Sequence, residues 1–339
     1  MTTTATPPEH PAAASAASVR SSRLRVRTAR LVQNQGALVI LVVLSLIATF
    51  SYDTFGTSAN LRSIALSASF LAVIALGMTF VILTGGIDLS VGSGYALGGV
   101  LAAWGSQYNP LVAVALPLAV GAALGLVQGL IIAKGGLPPF IVTLAGLLLA
   151  RGVLLSITNE GAETFKVPVG SGFRELAQGE FLGLLYPVWI VVILFLLGGL
   201  LLRRTSFGAS VLAVGGQEDA AALMGVAVAR TKVLTYVASG CLAALAGVLT
   251  ASYTSSGVTI IGVGTELDAI AAVVLGGTLL SGGAGSVLGT LVGVLLLQVI
   301  KNVINQIGTL DSDWQAVVSG TILLAVVTVQ QYLTRVERT

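Results

Sequence analysis

Charged residues make up only 9% of this sequence, where a soluble domain carries about 25%, and hydrophobic residues make up 55%. A soluble catalyst of 339 residues needs a charged surface to keep its cores dispersed, and this chain has none to offer. Cysteine and histidine are nearly missing: Cys241 and His10 are the single examples. No internal disulfide is possible, and no zinc site, Cys-His pair or Ser-His-Asp set can be assembled in the apolar part of the chain. No G-x-x-x-x-G-K-[ST] run occurs, so the chain holds no ATP on a phosphate loop, and any ATP that drives it is bound by another subunit. The net charge of +3 and pI near 9.2 are basic, yet the 17 Lys and Arg are clustered. They report membrane topology rather than nucleic acid, and no metal or organic cofactor is expected.

What is present is a series of long uncharged runs. A helix crossing about 30 Å of hydrocarbon needs about 20 such residues. There are 22 uncharged residues between Arg30 and Asp53, 25 between Arg62 and Asp88, and 22 between Glu180 and Arg203, each suiting one span. The 45 between Asp88 and Lys134 suit two, with a turn at Gln107 to Pro110. Residues 138–157, 233–253 and 315–332 make one span each. The 32 between Asp268 and Lys301 are broken by SGGAG at Ser281–Gly285, giving a short segment and a longer helix. The expectation is an all-α, polytopic membrane protein with about ten transmembrane segments, some broken or re-entrant. With both termini inside, 12 of the 17 Lys and Arg fall on the cytoplasmic side, which supports this orientation over its inverse. Residues 1–19, rich in Ala, Thr, Pro and Ser, read as disordered. A cleaved signal peptide is not expected, because the apolar run begins only after Gly36 and no A-x-A site closes it.

Polar residues inside this apolar context mark candidate sites. In GMTFVILTGGIDLSVGSGYALGG, residues 77–99, Gly85 and Gly86 interrupt a helix, and a broken helix survives in lipid only against protein or a water-filled cavity. Thr84, Asp88 and Ser90 are therefore candidates for a polar pathway; alternatively Asp88, helped by Ser90, caps the next helix. Gly85–Gly98 and Gly276–Gly289 agree at eight of 14 positions, which reads either as an internal repeat of the kind transporters carry or as shared glycine packing. Gly121, Gly125 and Gly129, and Gly289 with Gly293, are spaced for close helix contact. Glu266 and Asp268 face an outer cavity or docking protein, or cap the helix that follows. Gln298, Asn302, Asn305 and Gln306 share one helix face, either to bond solute hydroxyls or to hold helices together. Arg151 pairs with an acid or reaches to the headgroups. In RRTSFGASVLAVGGQEDAAALMGVAVARTK, residues 203–232, Ala220–Ala229 reads as a short helix introduced by Gln217, Glu218 and Asp219. It is either a peg for a soluble motor or a helix lying on the membrane.

Four ordered stretches, GMTFVILTGGIDLSVGS, LPPFIVTLAGLLLARGV, TSFGASVLAVGGQEDAAALMGVAVARTK and ELDAIAAVVLGGTLLSGGAGSVLGTLVGV, resemble the permease subunits of bacterial ABC sugar importers of the ribose, xylose and galactose group. The resemblance runs from about residue 38 to about residue 332. GVGTELDAIAAVVLGGTLLSGG and INQIGTLDSDW are most similar to a galactofuranose importer permease. It implies a monosaccharide translocated across the bacterial inner membrane by a subunit that is not an enzyme. It further implies an ATP-binding cassette ATPase inside, a second permease, related or identical, and a periplasmic or lipid-anchored sugar-binding protein outside. Gly215, Gln217, Glu218, Asp219, Met224 and Gly225 would form the coupling region, and Asp88 would lie near the path. Residues 1–30 would then be a disordered basic cytoplasmic tail outside the family pattern, and 31–335 the permease domain with its coupling region near 203–232. An ion-coupled secondary carrier of a small polar solute, with Asp88 as its ion site, is the alternative reading.

Overall fold

The structure, a computed structural model, describes residues 36–307 and 313–338, so the expected tail over residues 1–30 lies outside the described residues. The chain runs through helices α1 (Gly36–Ser51), α2 (Ser58–Leu83), α3 (Val91–Gly105), α4 (Pro110–Gly135), α5 (Pro139–Ile157), α6 (Glu175–Gln178) and α7 (Tyr186–Arg204). It continues through α8 (Ser206–Gly216), α9 (Glu218–Leu223), α10 (Val228–Thr254), α11 (Thr265–Leu275), α12 (Val287–Ile307) and α13 (Asp313–Arg338). The described strands, Glu180–Phe181 and Leu184–Leu185, form one small antiparallel hairpin before α7. The fold is all-α.

Six of the described helices, α2, α4, α5, α7, α10 and α12, are long and apolar enough to cross a membrane. The expected broken segments are there too: α3 and α11, at 15 and 11 residues, rise only about 22 and 16 Å. Local chemistry places the ends. Thr57 Oγ1 accepts from Asn60 N at the start of α2, and Asn109 Oδ1 accepts from Val112 N at the start of α4, where Pro110 occupies the first turn.

Burial sorts the helices into a core and a rim. In α2, 89% of the most apolar window is buried inside the chain, against 22% in α4 and 28% in α7. Leu148 of α5 and Leu196 of α7 stand largely exposed, as suits surfaces that meet lipid tails rather than water. α10 packs on α2, α3 and α4. The α4–α10 approach is possible only because of the glycine row foreseen in the sequence: a Cβ on Gly125 would sit 2.2 Å from the Tyr236 carbonyl oxygen.

Two differences from the sequence reading concern residues 203–232. α8 was not anticipated, since SFGASVLAVGG carries no marked periodicity. The helix expected over Ala220–Ala229 instead spans Glu218–Leu223, because Gly225, at φ +81°, turns the chain before α10 begins at Val228.

Candidate coupling and translocation site

The α2–α3 break holds three of the polar candidates. α2 ends at Leu83, and Thr84 Oγ1 turns back to the Val81 carbonyl at 2.7 Å, satisfying the helix end rather than facing a cavity. Asp88 is 1% exposed. Its Oδ1 accepts from Ser90 N at 3.0 Å and Ser90 Oγ at 2.6 Å, and its Oδ2 accepts from Ser239 Oγ of α10 at 2.7 Å. Ser90 is the residue before α3, but no side chain caps that helix, so Asp88 ties the break to α10 instead of serving α3 alone. Ser90 Oγ also lies 3.2 Å from Gln128 Oε1 of α4. The Ile87 carbonyl accepts from Tyr236 Oη of α10 and from Thr143 Oγ1 of α5, both at 3.3 Å. Three helices, α4, α5 and α10, are thus pinned to the one unwound turn between α2 and α3, as unwound backbone in a membrane requires.

Sequence reading missed Gln128, Ser239 and Tyr236. Gln128 left a signal, being the single amide in the span between Pro110 and Lys134. Ser239 and Tyr236 left none, because a serine or tyrosine in a membrane helix is ordinary.

The second break, between α11 and α12, lies against the first. Gly283 N donates to the Leu83 carbonyl at 3.0 Å, so the end of α2 is bonded across to the α11–α12 turn. A Cβ on Gly282 would stand 2.7 Å from Gly85 N. The two glycine-rich stretches that align in sequence therefore meet in space. The last turn of α8 closes the junction: a Cβ on Gly215 would fall 1.8 Å from Leu83 O and 2.5 Å from Gly283 N, on the hydrogen bond that joins the breaks. Three backbones meet there with no side chain between them.

Past Gly215, the remaining coupling candidates line an exposed loop. Gln217 precedes α9, and Glu218 and Asp219 open it. Glu218 Oε1 and Oε2 accept from Lys232 Nζ of α10 at 2.7 and 2.6 Å, which fixes the loop to the bundle. Leu223 and Met224 are 90% and 76% exposed at its tip, just before Gly225. Two large apolar side chains are thus held out on a tethered loop, and Leu223 was not among the residues read from the sequence.

Gln298 and Asn302 sit apart from the breaks, Gln298 being about 16 Å along α12 from its first residue, Val287. Asn302 and Asn60 of α2 exchange two amide hydrogen bonds, at 2.8 and 3.1 Å. Gln306 Oε1 accepts from Thr54 Oγ1, and Asn305 Oδ1 from Gln315 Nε2 of α13. Three amides of this face hold α12 to its neighbours, while Gln298 is half-buried. An Asn302→Ala chain should lose about 0.6–1.7 kcal/mol of stability, read as a lowered melting temperature in detergent, with unchanged apparent affinity for solute. A raised KM at unchanged stability would put Asn302 on the solute instead.

Asp268, in the first turn of α11, forms an ion pair with Lys301 of α12, and Glu266 lies against Gly92 of α3, where a Cβ would meet its carboxylate. Asp268 and Lys301 line a cavity of about 260 Å³ closed by Ser319 and Gly320 of α13. Arg151 Nη1 donates to the Ile261 carbonyl at 3.2 Å, and its charge acts on the nearby Glu266 carboxylate without a direct ion pair. Among the described residues no cluster of His, Cys, Asp and Glu could hold a metal ion.

Comparison with known proteins follows the same lines. Residues 60–327 match the family model described as the branched-chain amino acid transport system / permease component. The ribose import permease protein RbsC of Escherichia coli K12 is 43% identical over 318 residues, covering 91% of this chain and 97% of that protein. RbsC of Bacillus subtilis strain 168 is 39% identical, covering 91% and 96%. The L-arabinose ABC transporter permease protein AraH of Azospirillum brasilense is 35% identical, covering 93% of each chain. No solved structure matches.

Proposed function

We propose, since the chain belongs to the family of branched-chain amino acid transport system permease components, that it is the membrane subunit through which an ATP-binding cassette importer passes a monosaccharide. A permease of this kind is not itself an enzyme, and ATP hydrolysis belongs to a partner. The observation that supports this reading best is the arrangement of α8 and α9. One end of this unit is an exposed apolar knob on a tethered loop, and the other lies on the joined breaks of the bundle. A soluble ATPase that grips Leu223 and Met224 and moves α9 would shift Gly215 against both breaks at once.

On this reading the face bearing α8 and α9 is cytoplasmic in the inner membrane, with both termini on that side, as the arginine bias favours. The opposite face, where the loop between α5 and α7 covers the end of α10, receives a sugar-binding protein. A second permease, related or identical, completes the path. The late motifs favour galactofuranose, while the relatives carry the names of ribose and L-arabinose permeases; uptake of each labelled sugar by cells expressing the complete system identifies the cargo. The ion-coupled carrier gains no support from Asp88, whose two oxygens are both taken by serines.

The direct test is association with the ATPase. Leu223→Asp with Met224→Asp should lower co-purification of the ATPase at least about tenfold, as loss of an apolar anchor does, and uptake with it. Asp219→Lys should weaken association by reversing a charge on the same face. Glu218→Lys acts differently, since it sets like charge against Lys232 and loosens the loop itself. Unchanged complex yield and unchanged uptake in the Leu223 and Met224 variant would remove α9 from the coupling role.

A further inference from the structure

A groove of about 250 Å³ opens between α7 and the start of α12, away from the Asp88 cluster. Phe195, Leu196, Gly199 and Leu200 wall it on α7, and Val287 and Leu288 on α12. Arg203 and Arg204, in the last turn of α7, stand at its end. Both are exposed, and among the described residues neither makes an ion pair or a side-chain hydrogen bond. Apolar walls closed at one end by two unpaired guanidinium groups match one kind of molecule in a membrane: a lipid with a hydrocarbon tail and a phosphate of net negative charge.

We propose that this groove is a binding site for an anionic phospholipid, one acyl chain lying along Leu196, Gly199 and Leu200 and the phosphate held by Arg203 and Arg204. Any exposed apolar face of a membrane bundle touches acyl chains. Two features of this one bear on which lipid it holds: open space at Gly199, where an added Cβ meets nothing within 4 Å, and two adjacent arginines closing the apolar run of α7. Guanidinium groups bind phosphate in a fixed two-pronged geometry, and basic pockets between membrane helices select anionic headgroups over zwitterionic ones. Because α7 leads directly into α8 and α9, a lipid held here would steady the helix from which the exposed loop hangs.

The test uses the full chain reconstituted in vesicles of equal parts phosphatidylethanolamine and phosphatidylglycerol, extracted into mild detergent and weighed by native mass spectrometry. Wild type should retain phosphatidylglycerol in preference to phosphatidylethanolamine. Arg203→Gln with Arg204→Gln should cut the phosphatidylglycerol-bound fraction at least about tenfold. Gly199→Phe, which fills the groove from the open space at its floor and leaves both charges in place, should cut it comparably while the protein still elutes as a single species. Retention unaffected by Gly199→Phe would reduce the arginines to a general surface charge and overturn the site. So would equal retention of the two lipids, or a groove that holds no phospholipid and whose filling blocks association with a second permease.

Discussion

A Gly215→Val chain should insert, keep its ATPase and transport at least about tenfold more slowly than wild type. The expectation follows from where the new side chain must go. The Cβ position on Gly215 lies 1.8 Å from the Leu83 carbonyl oxygen and 2.5 Å from Gly283 N, and those two atoms are bonded to one another at 3.0 Å. Backbone on both sides cannot rotate out of the way as a flexible side chain would. Either α8 moves off the junction or the Gly283–Leu83 bond breaks. Overpacking of this kind costs about 1–3 kcal/mol, and a coupling equilibrium displaced by that amount changes by about 5- to 150-fold. Leu223 and Met224, eight and nine residues on, are untouched, so ATPase binding should persist while uptake per ATP hydrolysed falls. Gly216→Ala is the matched control, since a Cβ there meets nothing within 4 Å, and it should transport normally. Normal uptake by Gly215→Val would remove the junction from the coupling route. Loss of membrane-inserted protein in parallel with uptake would make Gly215 a matter of folding alone.

Removing the Asp88 carboxyl should have the largest effect on the amount of folded protein. Three donors converge on it, Ser90 N, Ser90 Oγ and Ser239 Oγ, all in a site with almost no exposure. Asp88→Ala leaves the Ser90 amide without its acceptor and removes one of the break's two ties to α10, leaving Tyr236 Oη on the Ile87 carbonyl. Hydrogen bonds to a carboxylate contribute about 1.5–3 kcal/mol each, and an orphaned buried donor costs about 1–3 kcal/mol. Against a total stability of about 5–15 kcal/mol, such a change should lower the inserted, monodisperse fraction several-fold. Asp88→Asn should be mild, because its carbonyl oxygen still accepts from Ser90 and its amide can donate to the Ser239 hydroxyl. With normal levels in the membrane, uptake by that variant should lie within about twofold of wild type. A strong loss of uptake in Asp88→Asn at normal protein level would instead place the carboxyl on the solute's path, the role considered for it from the sequence.

Legibility differed from site to site for physical reasons. The α2–α3 break was visible because Gly85, Gly86 and Asp88 stand out in an apolar run, and the α11–α12 break because SGGAG does. That the two meet was only hinted at by their eight shared positions, since similarity of sequence does not say where two segments lie. The amide row on α12 was legible from its helical spacing, yet its choice of Asn60, Thr54 and Gln315 as partners was not. α8 stayed hidden because a short helix of small and apolar residues has no polar face to give it a period.

Residence in the membrane, the spans and their breaks, and the lack of a phosphate loop were all determined by the sequence alone. Each depends on the chemistry of about 20 consecutive residues, because transfer into hydrocarbon is decided locally. Only the tertiary structure decided that Asp88 bonds Ser239 rather than simply capping α3, that the two breaks share a hydrogen bond, and that Gly215 rests on it. In a soluble protein an apolar stripe would have marked the buried face of each helix. Here lipid is as apolar as the core, so the inward face of α2 and the outward face of α5 carry much the same residues. Which faces meet is settled by close glycine contacts and a few polar pairs between residues far apart in the chain.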